Sequence, residues 1–411
     1  MTKILISFVG TGSLDKNNQS IRAYRKAQYE IQGKTHETSF VAEALAKHLE
    51  IEKIFLIGTA KSMWEEVFLK FSSNNDEKFW EKLAHFVENA NKDTDINASE
   101  ALTLKENLEK SLPSGSKIFF IRYGLNDTEL WENFRVFNQV FQELPDKAEI
   151  FLDITHSFRS LPVFAMVSMF YLQDVIGKKI KLQGIFYGML DVMRETNDKA
   201  QVINLKPLVE MLQWVKAAQP FRKYGMSYEL LPLLENENIK KIMKDFSDFL
   251  QLNYINEIAT QVSQINSIRR RLSELSEPAQ ITLEPILNDF SKAFQNQQNI
   301  SQKQLTLAKW HNKNMNYGFA YINLIEAMIS YVCECEKLTP VEKKENREKA
   351  KDLLHKEAKY KQLFDIYQNA NSIRNKIAHA IPNGKVDKQK NIENLRKCID
   401  EIGKIIGTNN R

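Results

Sequence analysis

Residues 371–384 read Asn-Ser-Ile-Arg-Asn-Lys-Ile-Ala-His-Ala-Ile-Pro-Asn-Gly, and place Arg374, Asn375 and His379 around a small apolar stripe of Ile373, Ile377 and Ile381. In a helix, Asn375 and His379 are four residues apart and share a face, so the amide can orient the imidazole. Arg374 lies about 140° around the axis from His379, but its long guanidinium can bend toward the same opening. Pro382 and Asn383-Gly384 stop such a helix within a turn of His379. These residue types suit RNA cleavage without a metal. That reaction takes a proton from the ribose 2′-hydroxyl, stabilises the extra charge of the phosphorane and returns a proton to the leaving 5′-oxygen. An imidazole near neutrality moves the protons, and a guanidinium grips the phosphate in a bidentate manner. DNA lacks the 2′-hydroxyl and falls outside this chemistry. One such motif supplies a single histidine.

A second group of candidates follows short β-branched or aromatic runs in the first half of the chain. The loops Gly10-Thr11-Gly12-Ser13, Gly58-Thr59-Ala60, Tyr123-Gly124-Leu125, Asp153-Ile154-Thr155-His156-Ser157-Phe158-Arg159 and Tyr187-Gly188-Met189 carry glycine or small hydroxyl residues. Backbone N–H groups in such loops can approach phosphate oxygens closely. The loop through Thr155, His156 and Ser157 enters an apolar helical run with Arg159 in its first turn. A helix N-terminus offers free N–H donors there, and His156, Ser157 and Arg159 add charge-matched donors for a phosphodiester. The Gly10–Ser13 stretch is not G-x-G-x-x-G, and no G-x-x-x-x-G-K-[ST] occurs, so a dinucleotide or nucleoside triphosphate is poorly supported.

The elements that must hold these residues divide the chain in two. Strands are predicted over 3–10, 53–59, 117–124, 149–155 and 181–188, with a weaker one over 201–205; helices at 37–50, 76–90, 127–143 and 158–176 separate them. Near-continuous apolar strands alternating with helices predict a Rossmann-like α/β domain of about six mostly parallel strands over residues 1–206. After Pro207 apolar residues recur at helical spacing, as in Phe319, Ile322, Ile325, Ile329 and Val332. Residues 207–411 are therefore predicted to be all-α. Residues 277–286 and 296–304 read as connections between helices.

The length of 411 residues, with 43% hydrophobic residues, suits two cores. No apolar run reaches the length needed to span a bilayer, so the expectation is a cytoplasmic protein with no membrane partner. The net charge of +5 is unevenly spread: residues 1–206 carry 26 Lys and Arg against 28 Asp and Glu, residues 207–411 carry 31 against 24. The second half is the place for a polyanion. Cys333, Cys335 and Cys398 form neither a disulfide framework nor a CxxC pair, and no metal-binding motif is present, so no metal is expected. His311 and His355 read as surface or structural residues.

The runs Ser7-Phe8-Val9-Gly10-Thr11-Gly12-Ser13, Asp153 to Pro162 and Phe186-Tyr187-Gly188-Met189-Leu190-Asp191 resemble those of the CARF-domain effector proteins of type III CRISPR systems. The spacing Arg374-Asn375-x-x-x-His379 resembles the R-x(4)-H motif of the HEPN ribonucleases attached to such domains. The resemblance implies a homodimer with a CARF sensing domain over 1–206 and a helical HEPN ribonuclease domain over 207–411. It also implies that a cyclic oligoadenylate binds across the two-fold axis, with tetra-adenylate favoured over hexa-adenylate. By position, Gly10, Thr11, Gly12, Ser13, Thr155, His156, Ser157 and Arg159 would hold that ligand; Ser157 stands where the family usually has glycine. Arg374, Asn375 and His379 from each subunit would form one composite, metal-independent site cutting single-stranded RNA in antiviral defence. Two other readings follow from the same residues: a sensor whose helical half only dimerises or docks a partner, and a CARF domain that degrades its own ring, aligned by Thr155, His156 or Ser13.

Overall fold

The computed structural model describes residues 2–14, 22–73, 76–156, 160–294, 299–379 and 387–408. The chain separates into two compact units, Met1–Val209 and Glu210–Arg411.

The first unit contains the strands β1 (Lys3–Val9), β2 (Ser13–Leu14), β3 (Arg22–Ala23), β4 (Ala27–Ile31), β5 (Lys34–Thr38), β6 (Lys53–Gly58), β7 (Lys117–Phe120), β8 (Glu149–Asp153), β9 (Lys181–Met189) and β10 (Lys199–Asn204). Its helices are α1 (Val41–Leu49), α2 (Trp64–Phe71), α3 (Glu77–Asn89), α4 (Ser99–Lys110), α5 (Asp127–Gln142) and α6 (Leu161–Asp174). Eight strands form one mixed sheet in the order β5-β4-β10-β9-β8-β1-β6-β7, and β2 and β3 pair separately. The five strands from β9 to β7 are mutually parallel, as the buried apolar runs predict.

Alternation along β1 assigns its side chains to two cores. Leu5 and Val9 pack with α1 to α4 on one face, while Ile4, Ile6 and Phe8 pack with α5 and α6 on the other. A strand buried on both faces needs a polar residue only where a partner waits, and Ser7 is that exception.

Two strands escaped the sequence reading, which gave about six rather than eight. β4 and β5 form a hairpin whose two-residue turn has Gln32 at φ 49° and Gly33 at φ 82°, a type I′ geometry. Ala27, Tyr29 and Ile31 alternate inward toward the core beside α1. That period-two signal was legible, but the polar residues between them and the Gln-Gly turn made it weak. Helix α1 consequently starts at Val41 rather than 37.

The second unit is helical throughout, as expected. Helix α7 (Lys206–Tyr224) spans the boundary, and α8 (Glu237–Leu252), α9 (Ile255–Arg270), α10 (Glu277–Phe294), α11 (Ile300–Lys313), α12 (Tyr317–Cys335), α13 (Lys344–Lys356), α14 (Lys361–Ala378) and α15 (Lys388–Thr408) follow. Residues 277–286 are thus the start of a helix, not a connection, and residues 300–304 open another. The two prolines that suggested a break are accommodated differently. Pro278 lies in the first turn, where its missing N–H is no loss, whereas Pro285 is internal and costs about 3 kcal/mol. Burial of Leu283, Ile286, Leu287 and Phe290 offsets that cost.

Two apolar clusters fill this unit. One joins α7 to α10, and the other surrounds α12, whose Leu324, Ile325, Ala327, Met328 and Ile329 are buried on all sides. Helix α11 serves both, with Leu307 in the first cluster and Leu305 and Ala308 in the second. No helix among the described residues is long and apolar enough to cross a membrane.

His355 is exposed, and His311 is buried, a structural rather than a surface residue. Its ring stacks on Phe319 at 5.3 Å, and neither ring nitrogen has a hydrogen-bond partner among the described residues. Burial pushes its pKa down to about 4. The unfolded chain therefore takes up this proton first. The contribution of neutral His311 is complete above about pH 6.5 and is lost as the pH falls toward 4, by up to about 3 kcal/mol. We predict that the urea midpoint drops between pH 7 and 4.5 and that His311→Leu removes part of the drop; an unchanged pH slope in the variant would contradict this account.

Candidate functional site

Strand order places a topological switch at β1. Among the parallel strands, β6 and β7 follow β1 on one side, and β8 then pairs with β1 on the other. In open parallel sheets, ligands bind in the crevice outside the carboxyl ends of strands at such a point. The loops that follow β1 and β8, carrying Gly10 to Ser13 and Thr155 and His156, are the two flanking that crevice.

They touch. A Cβ on Gly10 would lie 2.6 Å from the carbonyl oxygen of His156, so only glycine permits the approach. Tyr24 hydroxyl donates to the Gly10 carbonyl at 2.9 Å, and Met63 N–H donates to the same oxygen at 3.0 Å. Gly12 has φ 68°, and a Cβ there would meet Met63 Sδ at 2.3 Å. Thr11 is half-buried, and its carbonyl accepts a long contact of 3.5 Å from Arg22 Nη1. The backbone of Ser13 pairs with Ala23 in the β2–β3 ladder.

Under the second loop, Asp153 is fully buried at the end of β8. Ser7 Oγ donates to its Oδ2 at 2.6 Å, and the Thr155 N–H donates to its Oδ1 at 2.9 Å. Burial raises the Asp153 pKa, although these hydrogen bonds act against the rise. Thr155 Oγ1 in turn accepts from the Gly188 N–H at 2.8 Å. The end of β9 is therefore tied to the loop after β8, and Asp153, Ser7 and Gly188 are supporting residues to which the sequence reading gave no role. A carboxylate closing an apolar strand was the signal available for Asp153.

His156 does not supply the charge expected of it. Its ring lies 4.4 Å from Tyr24 and 5.6 Å from Phe40, stacked on both, and its Nε2 is buried without a hydrogen-bond partner among the described residues. Burial drives its pKa down to about 4, so the imidazole is neutral at physiological pH. It offers a flat face and an unused ring nitrogen, not a cation. Positive charge near the loops comes instead from Arg22 and from Lys61, whose own pKa is lowered by burial first and by Arg22 second. Ser157 and Arg159 lie outside the described residues.

In the second unit, Arg374, Asn375 and His379 stand at the end of α14, which stops at Ala378 with His379 as its C-cap. Asn375 and His379 are exposed and Arg374 is half-buried. The His379 N–H donates to the Asn375 carbonyl at 3.0 Å, but no hydrogen bond links the Asn375 amide to the imidazole. The predicted orientation of the ring by that amide is thus not made in this chain alone. Arg374 lies close enough to Tyr367 to lower its pKa against the upward push of burial. Ile373 is buried in the core around α12, so it is not available to a partner, whereas Ile377 is 43% exposed and faces Gly318. Ile381, Pro382 and Gly384 lie outside the described residues. Among the described residues, no three His, Cys, Asp or Glu side chains cluster as metal ligands would.

The contact between the two loops of the first unit is testable by adding a single methyl group. Gly10→Ala should lower stability by about 1–3 kcal/mol, because the new Cβ meets a backbone oxygen that cannot rotate away. Gly407→Ala, with nothing within 4 Å, should leave thermal unfolding unchanged or slightly raised. Equal melting temperatures for Gly10→Ala and wild type would contradict the observed packing.

Three comparisons bear on this geometry. Residues 4–191 match the family model of the CARF domain of the CRISPR system endoribonuclease Csx1, and residues 210–302 match that of the second domain of CRISPR-associated protein MJ1674. The CRISPR-associated protein MJ1674 of Methanocaldococcus jannaschii is 33% identical over 402 residues, which takes in 92% of this chain. This chain spans 62% of the length of that relative. The solved structure of Enterococcus italicus Csm6 bound to cyclic hexa-2′-fluoro-hexa-dAMP superposes with a TM-score of 0.40 at 12% identity, covering 97% of this chain and 92% of that one. A likeness at that level carries no functional argument. Residues 4–191 thus carry a CARF domain, in a chain similar along most of its length to a CRISPR-associated protein.

Proposed function

We propose that this chain is a cyclic-oligoadenylate-activated, metal-independent endoribonuclease of the HEPN type, acting on single-stranded RNA as a homodimer in antiviral defence. Residues 1–206 sense the ligand and residues 207–411 cut. One observation carries the reading. Asn375 and His379 are exposed at the end of a helix with half-buried Arg374 beside them, and among the described residues their side chains have no ion pair or mutual hydrogen bond, in a protein whose first half matches a CARF model.

In the sensing half, the ring's phosphodiesters would meet backbone N–H groups of Gly10 to Ser13 and the side chains of Ser157 and Arg159. Neutral His156, stacked on Tyr24, supports the loop from beneath and adds no charge to the ring's site. Tetra-adenylate is favoured over hexa-adenylate. In the cutting half, His379 moves a proton and Arg374 holds the scissile phosphate. The second histidine of the reaction comes from the other subunit, on the far side of a two-fold axis.

Exposed apolar surface supports that second subunit. Val163, Val167, Tyr171 and Val175 recur every four residues on α6 and just beyond it, and are 62%, 53%, 37% and 68% exposed. Leu161, Ala165, Met169 and Leu172 meanwhile bury the opposite face of the helix. An apolar row of this kind, continued by Ile176, favours a self-complementary contact between two copies. Beside the trio, Ile377 is also exposed.

Incubation of single-stranded RNA with the protein, with and without cyclic tetra-adenylate, tests the activity. Ligand should start cleavage, and His379→Ala or Arg374→Ala should lower the rate about 10²-fold or more without altering the melting temperature. Cleavage by His379→Ala at the wild-type rate sinks the assignment. Val167→Asp should convert a dimer to a monomer in light scattering and abolish ligand-dependent cleavage; an intact dimer would remove α6 from the interface.

A further inference from the structure

The helical unit contains an open groove of about 890 Å³ walled by α7, α10 and α11. Its charge is concentrated. Arg222 and Lys223 come from α7, Lys292 from α10, and Lys309 and Lys313 from α11, against the single carboxylate of Asp289. Some lysines elsewhere in this unit are paired with neighbours, as in Lys240 with Glu237, Lys244 with Asp248 and Lys359 with Glu336. None of the five groove cations is ion-paired among the described residues.

A competing explanation is that basic residues complement helix C-termini, since Arg222, Lys223, Lys292 and Lys313 all lie in last turns. Each C-terminus carries roughly half a negative charge. Three of them and Asp289 together cancel about half of the five positive charges, leaving roughly two to three uncompensated. That excess calls for an external anion.

The floor selects among anions. Trp310 is half-buried, and its ring lies 5.8 Å from the buried ring of Phe290, beside Ile286. An aromatic floor between cationic walls suits a chain of phosphates whose bases are free to stack, which a duplex does not offer. The groove also leads toward the trio. Asn314 on its rim is four residues from Gly318, a reach of at most about 14 Å. A Cβ on Gly318 would lie 3.7 Å from Ile377 Cγ2, two residues before His379.

We propose that this groove binds single-stranded RNA, with Lys309 and Lys313 on backbone phosphates and Trp310 under a base, and so delivers the strand to the cleavage site. The inference rests on the ribonuclease reading for its destination but not for its affinity. The experiment is fluorescence anisotropy of the full chain with a labelled 20-nucleotide 2′-O-methyl oligouridylate, which has no 2′-hydroxyl to react, across a salt series. Lys309→Gln with Lys313→Gln should weaken binding at least tenfold at low salt and reduce the log–log salt slope by about 1.4. Wild-type affinity and slope in that double variant, no binding by the wild type, or equal binding of a duplex of the same length would each overturn the groove. Cleavage is read separately on ordinary RNA. Groove-dependent binding without activator-dependent cleavage would leave this proposal standing and remove the ribonuclease reading instead.

Discussion

A single hydroxyl in the middle of an apolar strand fixes the first half of this protein. Ser7 stands opposite Asp153 in the β1–β8 register, and its Oγ donates to the carboxylate at 2.6 Å in a site closed to water. Slipping the register by one residue would bury the Ser7 hydroxyl without its acceptor, strip Asp153 of one of its two donors and turn every side chain of the strand to the wrong face. The pair therefore sets where β1 and β8 end relative to each other. Those ends carry the loops of Gly10 and Thr155, and the 2.6 Å approach of a Gly10 Cβ position to the His156 carbonyl shows how little play remains.

At that fixed crevice one side chain is neutral where charge seemed the obvious choice. His156 lies against Tyr24 and Phe40, and burial keeps its proton off. Asp153 is held by two donors, and burial raises its pKa all the same. The crevice is thus lined by dipoles fixed in position, with cations such as Arg22 at its edge. Fixed N–H groups can bind a phosphodiester without the reorganisation that mobile charged side chains would require.

The helical half divides its residues differently. The middle of helix α12 is buried and belongs to the fold, as does His311 in its apolar setting. Helix α11 is split along its length, with Leu305, Leu307 and Ala308 turned into two cores and Lys309 and Lys313 left to the solvent. At the end of α14, Ile373 anchors the helix inward while Asn375 and His379 stay outside. Side chains that the fold does not consume are the ones on which a reading of function can rest.

The sequence by itself determined the two-part architecture, because near-continuous apolar strands and helical periodicity are local patterns that burial enforces wherever the chain folds. It also located the glycine loops and the Arg374-Asn375-His379 trio, since both depend on spacing within one element. The hairpin of β4 and β5 stayed hidden because only Ala27, Tyr29 and Ile31 face a core. The helix over 277–294 stayed hidden because the penalty of Pro285 is outweighed only by distant partners such as Phe221, whose ring lies 5.2 Å from that of Phe290. Tertiary structure alone decided the strand order that brings Gly10 to His156, the stacking that keeps His156 neutral, and the meeting of α7, α10 and α11 that gathers five cations over Trp310. Each of these depends on groups far apart in sequence becoming neighbours, and desolvation and charge density exist only once they are.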